Sequence, residues 1–448
     1  MASRPEKGHV NVKNLILGGG VAGLSLQYFL DDKDNTVVLE RSEDPGGGCK
    51  SVNVNGTEYF LGPRKLRVKD ETIGVVSELL DDLGIGSKEL INETSLVRFK
   101  REYIPFPLQD NLIDLGLVDR LKTALSWSFR PQADPRNFEE WAIAKYGKFM
   151  AEEFLLPHSE KCWKRPAKEI MLKASQKVAG GSTMDFIQSL AFGNRSEDLR
   201  ILIEGGVNSI VSGIVNSDRS DVWTGVNVSR DSLNVLNKHL YVGSMIIHYE
   251  NLINTIPLPA FQHILTYSLD NPTQMAFEVL DYNILSITFF AIKKDYYIGP
   301  ENVRMIYYPD ENCVFNRISF PDVDTVTEIV GFKPMTIEVS LHRRYKRLLR
   351  NDYFQIQLFG KIIQDLVEQG LILERLPWGS DSFEYKMEFV NPGYIMFDQD
   401  YEWATNEIME HFKKRDIHFL GRFAQWNNLE IDTTIKQAQE LAEELNGR

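Results

Sequence analysis

Residues 14–40, NLILGGGVAGLSLQYFLDDKDNTVVLE, constrain the fold of this chain more than any other stretch. An apolar run at 15–17 stops at consecutive glycines, an amphipathic segment follows, and a second apolar run at 37–39 ends in an acid. That order predicts a strand, a tight turn, a helix and a second strand. Gly18, Gly20 and Gly23 fit the spacing G-x-G-x-x-G. The first permits the turn, the second lets backbone approach a pyrophosphate, and the third lets helix and strand pack closely. Glu40 then sits where a carboxylate can accept from both hydroxyls of a ribose. The context of strand, helix and terminal acid points to dinucleotide binding rather than to a glycine-rich turn alone.

A chain of 448 residues is too long for one core and implies two or three domains. With 43% hydrophobic and 25% charged residues it is globular in composition. The net charge of -13 argues against a general nucleic-acid binder, because a phosphate backbone would be repelled. One local exception is HRRYKRLLR at 342–350, open to two readings, a solvated helix face or a polyanion site. Cys49, Cys162 and Cys313 are widely spaced and form no C-x-x-C, which suits a reducing compartment better than a disulfide framework. The first residues carry mixed charge and no apolar core of a signal peptide, and no apolar run approaches the roughly 20 residues of a membrane helix. The expectation is a cytoplasmic protein with no membrane span, no nucleic-acid partner and no metal, its oligomeric state open.

Beyond Glu40, RSEDPGGGCKSV places a second glycine loop at Gly46 to Gly48, and 51–61 alternates around Asn55-Gly56 as a hairpin does. From 70 to about 204 the period becomes helical, over 71–83, 112–129, 138–154 and 184–192. YVGSMIIHYENLINTIPLP at 241–259 reads as a hairpin followed by a buried strand that returns to the first sheet. Stretches 280–292, 303–308, 314–320 and 328–339 are β-rich and make a second sheet. Helices at 353–369 and 432–445 complete the chain. The reading is an α/β protein with a discontinuous Rossmann-type dinucleotide-binding domain (1–69, 205–265, 386–448), which the resemblance below makes FAD-binding, a largely helical insertion (70–204) and a second, mainly antiparallel sheet (266–385).

The GGGVAGL turn, the LERSEDPGGG loop, LINTIPLP and the terminal GRFAQW resemble the flavin amine oxidoreductase superfamily. Within it, EYIPFPLQDNL, EKCWKRPAKEI, YYPDENCVFNRISF and GRFAQWNNLEID resemble segments of the UDP-galactopyranose mutase branch. The resemblance implies FAD contacts from Gly18, Gly20, Val21, Ala22, Gly23, Glu40, Arg41, Gly47, Gly48, Val226, Gly421, Arg422 and Asp432. It also implies that Arg317 faces a substrate diphosphate with Tyr307 beside it, and that Lys177 stands where the family often has a second arginine. Gln109 would line the sugar pocket, Tyr394 would close it, Trp163 would pack near the uridine or flavin, and Phe106 would line the apolar side. This chain departs from the family's pattern in three places. Pro63-Arg64 stand where a Gly-Gly-His is usual, 427–429 lack the family's tyrosines, and Phe106-Pro107-Leu108 replaces a Y-P-F.

Three functions compete on these residues. The foremost is a mutase interconverting pyranose and furanose forms of a nucleoside-diphosphate sugar through an adduct at N5 of reduced FAD, with NAD(P)H as a candidate reductant. No side-chain base is essential to that scheme, and the sequence shows neither a triad nor a paired-carboxylate motif. The second is an FAD-dependent oxidoreductase of the amine-oxidase or protoporphyrinogen-oxidase type, its pocket lined by Phe106, Leu108 and Trp163. The third is a non-catalytic binding protein of the GDP-dissociation-inhibitor type.

Overall fold

The computed structural model describes residues 8–32, 35–54, 56–62, 65–90, 94–177, 183–191, 200–217, 221–321, 331–374 and 382–447. Strand β1 (Gly8–Leu17) is paired on both sides, in parallel with β2 (Thr36–Leu39) and with Met245–Asn254. Its last residues, Leu15 to Leu17, are at most 1% exposed, which is why they read as an unbroken apolar run rather than an alternation. Val222–Trp223 extends the sheet beyond β2, and Ile417–Phe419 pairs in parallel with the end of Met245–Asn254. The antiparallel strands His239–Val242 and Leu233–Asn234 complete it. The buried strand of the LINTIPLP segment therefore does return to the first sheet.

A polar ladder fixes the register of the three central strands. The amide of Asn14, 1% exposed, donates to the Thr36 hydroxyl at 3.0 Å and accepts from the Asn251 amide at 2.9 Å. Slipping either neighbour by one residue would leave a buried amide without partners, at a cost of about 1–3 kcal/mol for each group.

Helix α1 (Val21–Phe29) follows the glycine turn and is sandwiched between this sheet and the C-terminal helix Ile431–Asn446. Gly18 lies at φ +106, a conformation that only glycine adopts without strain. A Cβ on Gly23 would lie 2.2 Å from the Gly18 carbonyl oxygen, so the third glycine is demanded by the approach of helix to turn.

The second sheet has seven strands in the order Phe383–Val390, Asn283–Lys293, Phe332–His342, Arg317–Ser319, Met305–Tyr307, Ser95–Phe99, Glu102–Pro105. All pairs are antiparallel except Met305–Tyr307 with Ser95–Phe99. Helix Asp352–Glu368 covers one face, packing Phe359, Ile362 and Leu366 among Ile306, Ile318 and Ile337. The helices expected in 70–204 are present as Ile73–Asp82, Leu117–Ser128, Phe138–Met150, Leu156–Trp163 and Thr183–Ala191. The same stretch is less purely helical than its periodicity suggests. It gives two strands to the second sheet, and Ser87–Leu90 and Arg200–Ile203 form a small third sheet with Lys65–Arg67. Short strands of four or five residues carry too few alternations to stand out beside long amphipathic helices.

Among the described residues, no helix is long and apolar enough to cross a membrane. Cys49, Cys162 and Cys313 are all free.

Candidate functional site

The two glycine loops meet at the edge of the first sheet where α1 begins. The Gly46 N–H donates to the Gly19 carbonyl at 2.7 Å, and Gly20 bridges Gly46 in a parallel pair. A Cβ on Gly20 would find only the Gly47 Cα, at 4.0 Å, and one on Gly48 would find nothing within 4 Å. Gly20 has an ordinary φ of -81, so neither local geometry nor packing within the chain demands glycine there. The open space borders the start of α1, which has no acidic residue in its first turn and no side-chain cap. Its free N–H groups and partial positive charge suit a pyrophosphate.

Glu40 closes the other side. Its Oε2 accepts from the Gly19 N–H at 2.9 Å and its Oε1 from the Ser42 N–H at 2.7 Å. A carboxylate has about four acceptor positions, so two are left for ribose hydroxyls. The residues present thus fit a dinucleotide such as FAD. Val21 and Ala22 form the first turn of α1, Arg41, Gly47 and Gly48 are exposed on the second loop, and the buried Val226 donates its N–H to the Glu40 carbonyl at 2.8 Å.

The C-terminal motif reaches the same place. A Cβ on Gly421, at φ +92, would lie 2.8 Å from the Cβ of Ala22. Arg422 and Asp432 turn out to be committed within the protein. The Arg422 guanidinium donates twice to the Leu429 carbonyl, at 2.9 and 2.7 Å, closing its own loop. Asp432 is 1% exposed and accepts from the Thr72 hydroxyl at 2.6 Å, which ties the C-terminal helix to the chain beside helix Ile73–Asp82. The partners lie 360 positions apart, a pairing no local pattern announces.

The second sheet brings together the residues assigned to the substrate. Tyr307, Arg317 and Glu338 are register partners on three adjacent strands, so their side chains share one face. Ile287 continues that row and packs with Val54 and Tyr59 of the hairpin Ser51–Val54/Thr57–Phe60. The row therefore fronts the glycine-loop end of the first sheet. Arg317 gives Nη2 to Glu338 Oε2 at 2.6 Å, and the Tyr394 hydroxyl donates to Glu338 Oε1 at 2.5 Å. A buried carboxylate held by two donors costs far less than an unpaired one. Arg317 Nε remains buried without a partner. Phe106 stacks on Tyr307 at 4.4 Å.

Helix Leu156–Trp163 lies over Phe332–His342 and adds His158, Cys162 and Lys161. Burial, with the Lys161 and Arg317 cations, pulls the His158 pKa down to about 4. Burial, with Glu338, pushes the Cys162 thiol up to about 12. Both side chains are thus neutral, 3.8 Å apart, and His158 Nδ1 has no partner. Lys161 is 6% exposed and donates to the carbonyls of Tyr308 at 2.9 Å and Asp310 at 2.5 Å, and to Cys313 Sγ at 3.2 Å. The EKCW and PDENC segments are therefore two halves of one contact.

His158 and Glu338 escaped the sequence reading, since neither belongs to a motif that carries chemistry. Trp163 is 8% exposed and packs edge-on against Phe138 at 5.6 Å. Gln109 is buried and lines a different recess, with Trp127, Tyr146 and Phe186. The side chain of Lys177, and both Pro63 and Arg64, lie outside the described residues.

Comparison with known proteins accords with this geometry. The NAD(P)-binding Rossmann-like domain family matches residues 16–83. The chain is 31% identical over 97 residues to coproporphyrinogen III oxidase of Staphylococcus aureus (strain NCTC 8325 / PS 47), covering 20% of each. It is 28% identical over 156 residues to protoporphyrinogen oxidase of Schizosaccharomyces pombe (strain 972 / ATCC 24843), covering 31% of this chain and 32% of that one. The matched stretches thus span about a fifth and a third of these curated relatives. A crystal structure of reduced UDP-galactopyranose mutase superposes with a TM-score of 0.81 at 18% identity, over 97% of this chain and 94% of that one. The resemblance to the flavin amine oxidoreductase superfamily holds at the level of the fold.

Two outcomes follow from the geometry. Gly20→Val should leave the fold intact and abolish flavin absorbance in the purified protein, whereas Gly23→Ala should lower unfolding stability by about 1–3 kcal/mol through its clash with the Gly18 carbonyl. A yellow Gly20→Val protein would remove this turn from the cofactor site. The second concerns pH. Between the ordinary imidazole range and about pH 4 the unfolded chain binds a proton at His158 that the folded chain does not, so stability falls as pH falls through that window. His158→Gln should abolish this part of the slope, worth about 2 kcal/mol between pH 7 and pH 5, as measured by urea unfolding at the two pH values.

Proposed function

We propose that this chain is an FAD-dependent mutase that interconverts the pyranose and furanose forms of a nucleoside-diphosphate sugar while its flavin is reduced. The observation that carries this reading is the row Tyr307, Arg317, Glu338, with an unpartnered guanidinium Nε, on the sheet face that fronts the glycine loops. A guanidinium anchored by one nitrogen to a buried carboxylate is oriented before any ligand arrives, and its remaining donors suit phosphate oxygens.

In this reading Gly18, Gly20, Gly47, Gly48 and Glu40 hold the dinucleotide, and Arg317 and Tyr307 hold the substrate diphosphate. Arg317 stabilises the negative charge that grows on the diphosphate as its bond to the anomeric carbon breaks, which preorganised charge does well in a water-poor site. Glu338 and Tyr394 fix the plane of the guanidinium. Lys161, occupied by carbonyls, adds positive potential without touching the substrate, and neutral His158 leaves that potential uncancelled. The chemistry that reduced FAD supplies when bound is a nucleophile for the anomeric carbon, consistent with a site built around binding rather than acid–base pairs. NAD(P)H is the reductant we assign, and the three free thiols support a reducing, cytoplasmic setting.

The two porphyrinogen oxidases among the relatives favour a second reading, oxidation of a porphyrinogen-like substrate, with Phe106 on the apolar side of the pocket. One assay separates the two. Dithionite-reduced protein is offered UDP-, GDP- and dTDP-sugars, and pyranose-to-furanose conversion is followed by chromatography; oxygen consumption with porphyrinogen is measured in parallel. Conversion of a sugar with no net redox change is the expected result, with UDP-galactopyranose at least roughly tenfold below the best substrate, about 1.4 kcal/mol of transition-state binding, because 427–429 lack the usual tyrosines. Arg317→Lys should raise KM for that substrate at least roughly tenfold by losing the guanidinium fork. Oxygen uptake without any sugar conversion would overturn the mutase reading.

A further inference from the structure

Residues 343–350, RRYKRLLR, hold five cations and no acid in a chain of net charge -13. They form the turn Arg343–Leu348 between strand Phe332–His342 and helix Asp352–Glu368. Arg343 is fixed, giving Nε to Asp281 at 3.1 Å and Nη1 to the Leu280 carbonyl at 3.0 Å. Arg344 lies over the Tyr345 ring at 4.9 Å. Lys346, Arg347 and Arg350 are exposed and, among the described residues, enter no ion pair. His342 adds no charge, because burial and the cations of Arg344, Arg165 and Arg343 outweigh Asp281 and hold its imidazole below the ordinary range. The described acids nearby are Asp281, Glu169, Asp352 and Glu278. Asp281 is buried and shared with Arg165 at 2.5 Å, and Glu169 is held by the same Arg165 at 3.4 Å. That leaves exposed Asp352, in the first turn of its helix where the dipole offsets it, and exposed Glu278, two residues before Leu280. Arg344, Lys346, Arg347 and Arg350 therefore outnumber the free carboxylates, and their mutual repulsion is a cost to the folded chain.

The helix that follows turns Tyr353, Ile356, Gln357, Gly360 and Gln364 outward, at helical spacing over about 17 Å. Tyr353 and Ile356 are 71 and 59% exposed, and Leu348 in the turn is 41% exposed. These outward positions carry no charge, whereas a solvated helix face is normally the charged one. On the edge strand Phe383–Val390, Phe383, Met387 and Phe389 pack toward this helix, so Glu384, Lys386 and Glu388 alternate to the other side. We propose that the cationic turn and the uncharged helix face together dock the protein on an anionic lipid bilayer. The cations would meet lipid phosphates, and Leu348, Tyr353 and Ile356 would enter the headgroup boundary. A second copy of the chain would set cations against cations across a two-fold axis. A nucleic-acid strand would engage the cations and leave Leu348 and Ile356 idle, since aliphatic side chains gain from hydrocarbon and not from phosphate. Each exposed Lys or Arg strengthens attachment to an anionic leaflet about fivefold. Docking of this kind is independent of which substrate the site takes.

The test is co-sedimentation of the full chain, with its cofactor, on mixed phosphatidylglycerol–phosphatidylcholine vesicles and on phosphatidylcholine alone, at about 0.1 M salt. The parent should bind the anionic vesicles, ignore the neutral ones, and bind at least roughly tenfold more weakly at about 0.3 M salt. Lys346→Glu/Arg347→Glu reverses two charges and should weaken binding at least roughly 100-fold. Tyr353→Ser/Ile356→Ser keeps every charge and should weaken it at least roughly tenfold, by removing groups that enter the boundary. Both double variants should retain flavin content and thermal unfolding, because all four side chains are exposed in the folded chain. A parent that ignores anionic vesicles overturns the proposal, as does binding that survives either double variant. Polyuridylate held more tightly than the vesicles, with Tyr353→Ser/Ile356→Ser unaffected, would overturn it too and assign the surface to nucleic acid.

Discussion

At the nucleotide end of the molecule, the fold depends on places where two stretches of backbone come too close for a side chain. A Cβ on Gly23 would lie 2.2 Å from the Gly18 carbonyl, one on Gly62 2.2 Å from the Gly48 carbonyl, and one on Gly421 2.8 Å from Ala22. These approaches gather α1, the second glycine loop, the end of the hairpin and the C-terminal loop around one opening. Gly20 and Gly48 differ in kind, since nothing in the chain crowds them. The first set holds the loops together, and the second leaves the space they enclose.

The second sheet supplies charge to that opening in a form the folded chain can tolerate. Arg317 and Tyr394 both donate to Glu338, so a carboxylate only 6% exposed is not left alone. The carboxylate raises the Arg317 pKa further and, together with burial, drives the Tyr394 hydroxyl well above its usual range. The guanidinium is therefore permanently cationic and the phenol permanently protonated at any physiological pH.

How much of this was legible in the sequence depends on the distance over which each feature is specified. The Rossmann turn is a local pattern whose glycines, strand and acid fall within 27 residues, and it was read correctly along with the long helices and the principal strands of the second sheet. Features fixed by tertiary contact were not legible. The hydrogen bonds of Asp432 to Thr72 and of Arg422 to Leu429 are announced by no local pattern, nor is the packing of Trp163 into the core. Glu338 looked like one more alternating residue of a strand, because only the register with Arg317 gives it a role. Leu117, Leu121 and Leu125 of helix Leu117–Ser128 are exposed, which the helical period of 112–129 does not announce, since periodicity reports that a helix has an apolar face and is silent on which way it points.

The clasp on Lys161 also bears on how the molecule moves. Helix Leu156–Trp163 is joined to the second sheet by the ammonium in its nest of carbonyls and by the Asn283 amide donating to the Cys162 carbonyl at 2.5 Å; the Arg165–Asp281 ion pair follows directly after the helix. Parting those surfaces would strip a buried cation of its solvation, which makes helix and sheet one rigid block. Between that sheet and the hairpin, by contrast, the central contact is Tyr59 on Phe289 at 5.2 Å within a small apolar cluster. Apolar surfaces can slide or separate without leaving an unpaired charge behind. The seam toward the hairpin is thus apolar, while the helix and the second sheet hold Arg317, His158 and Lys161 in one mutual geometry.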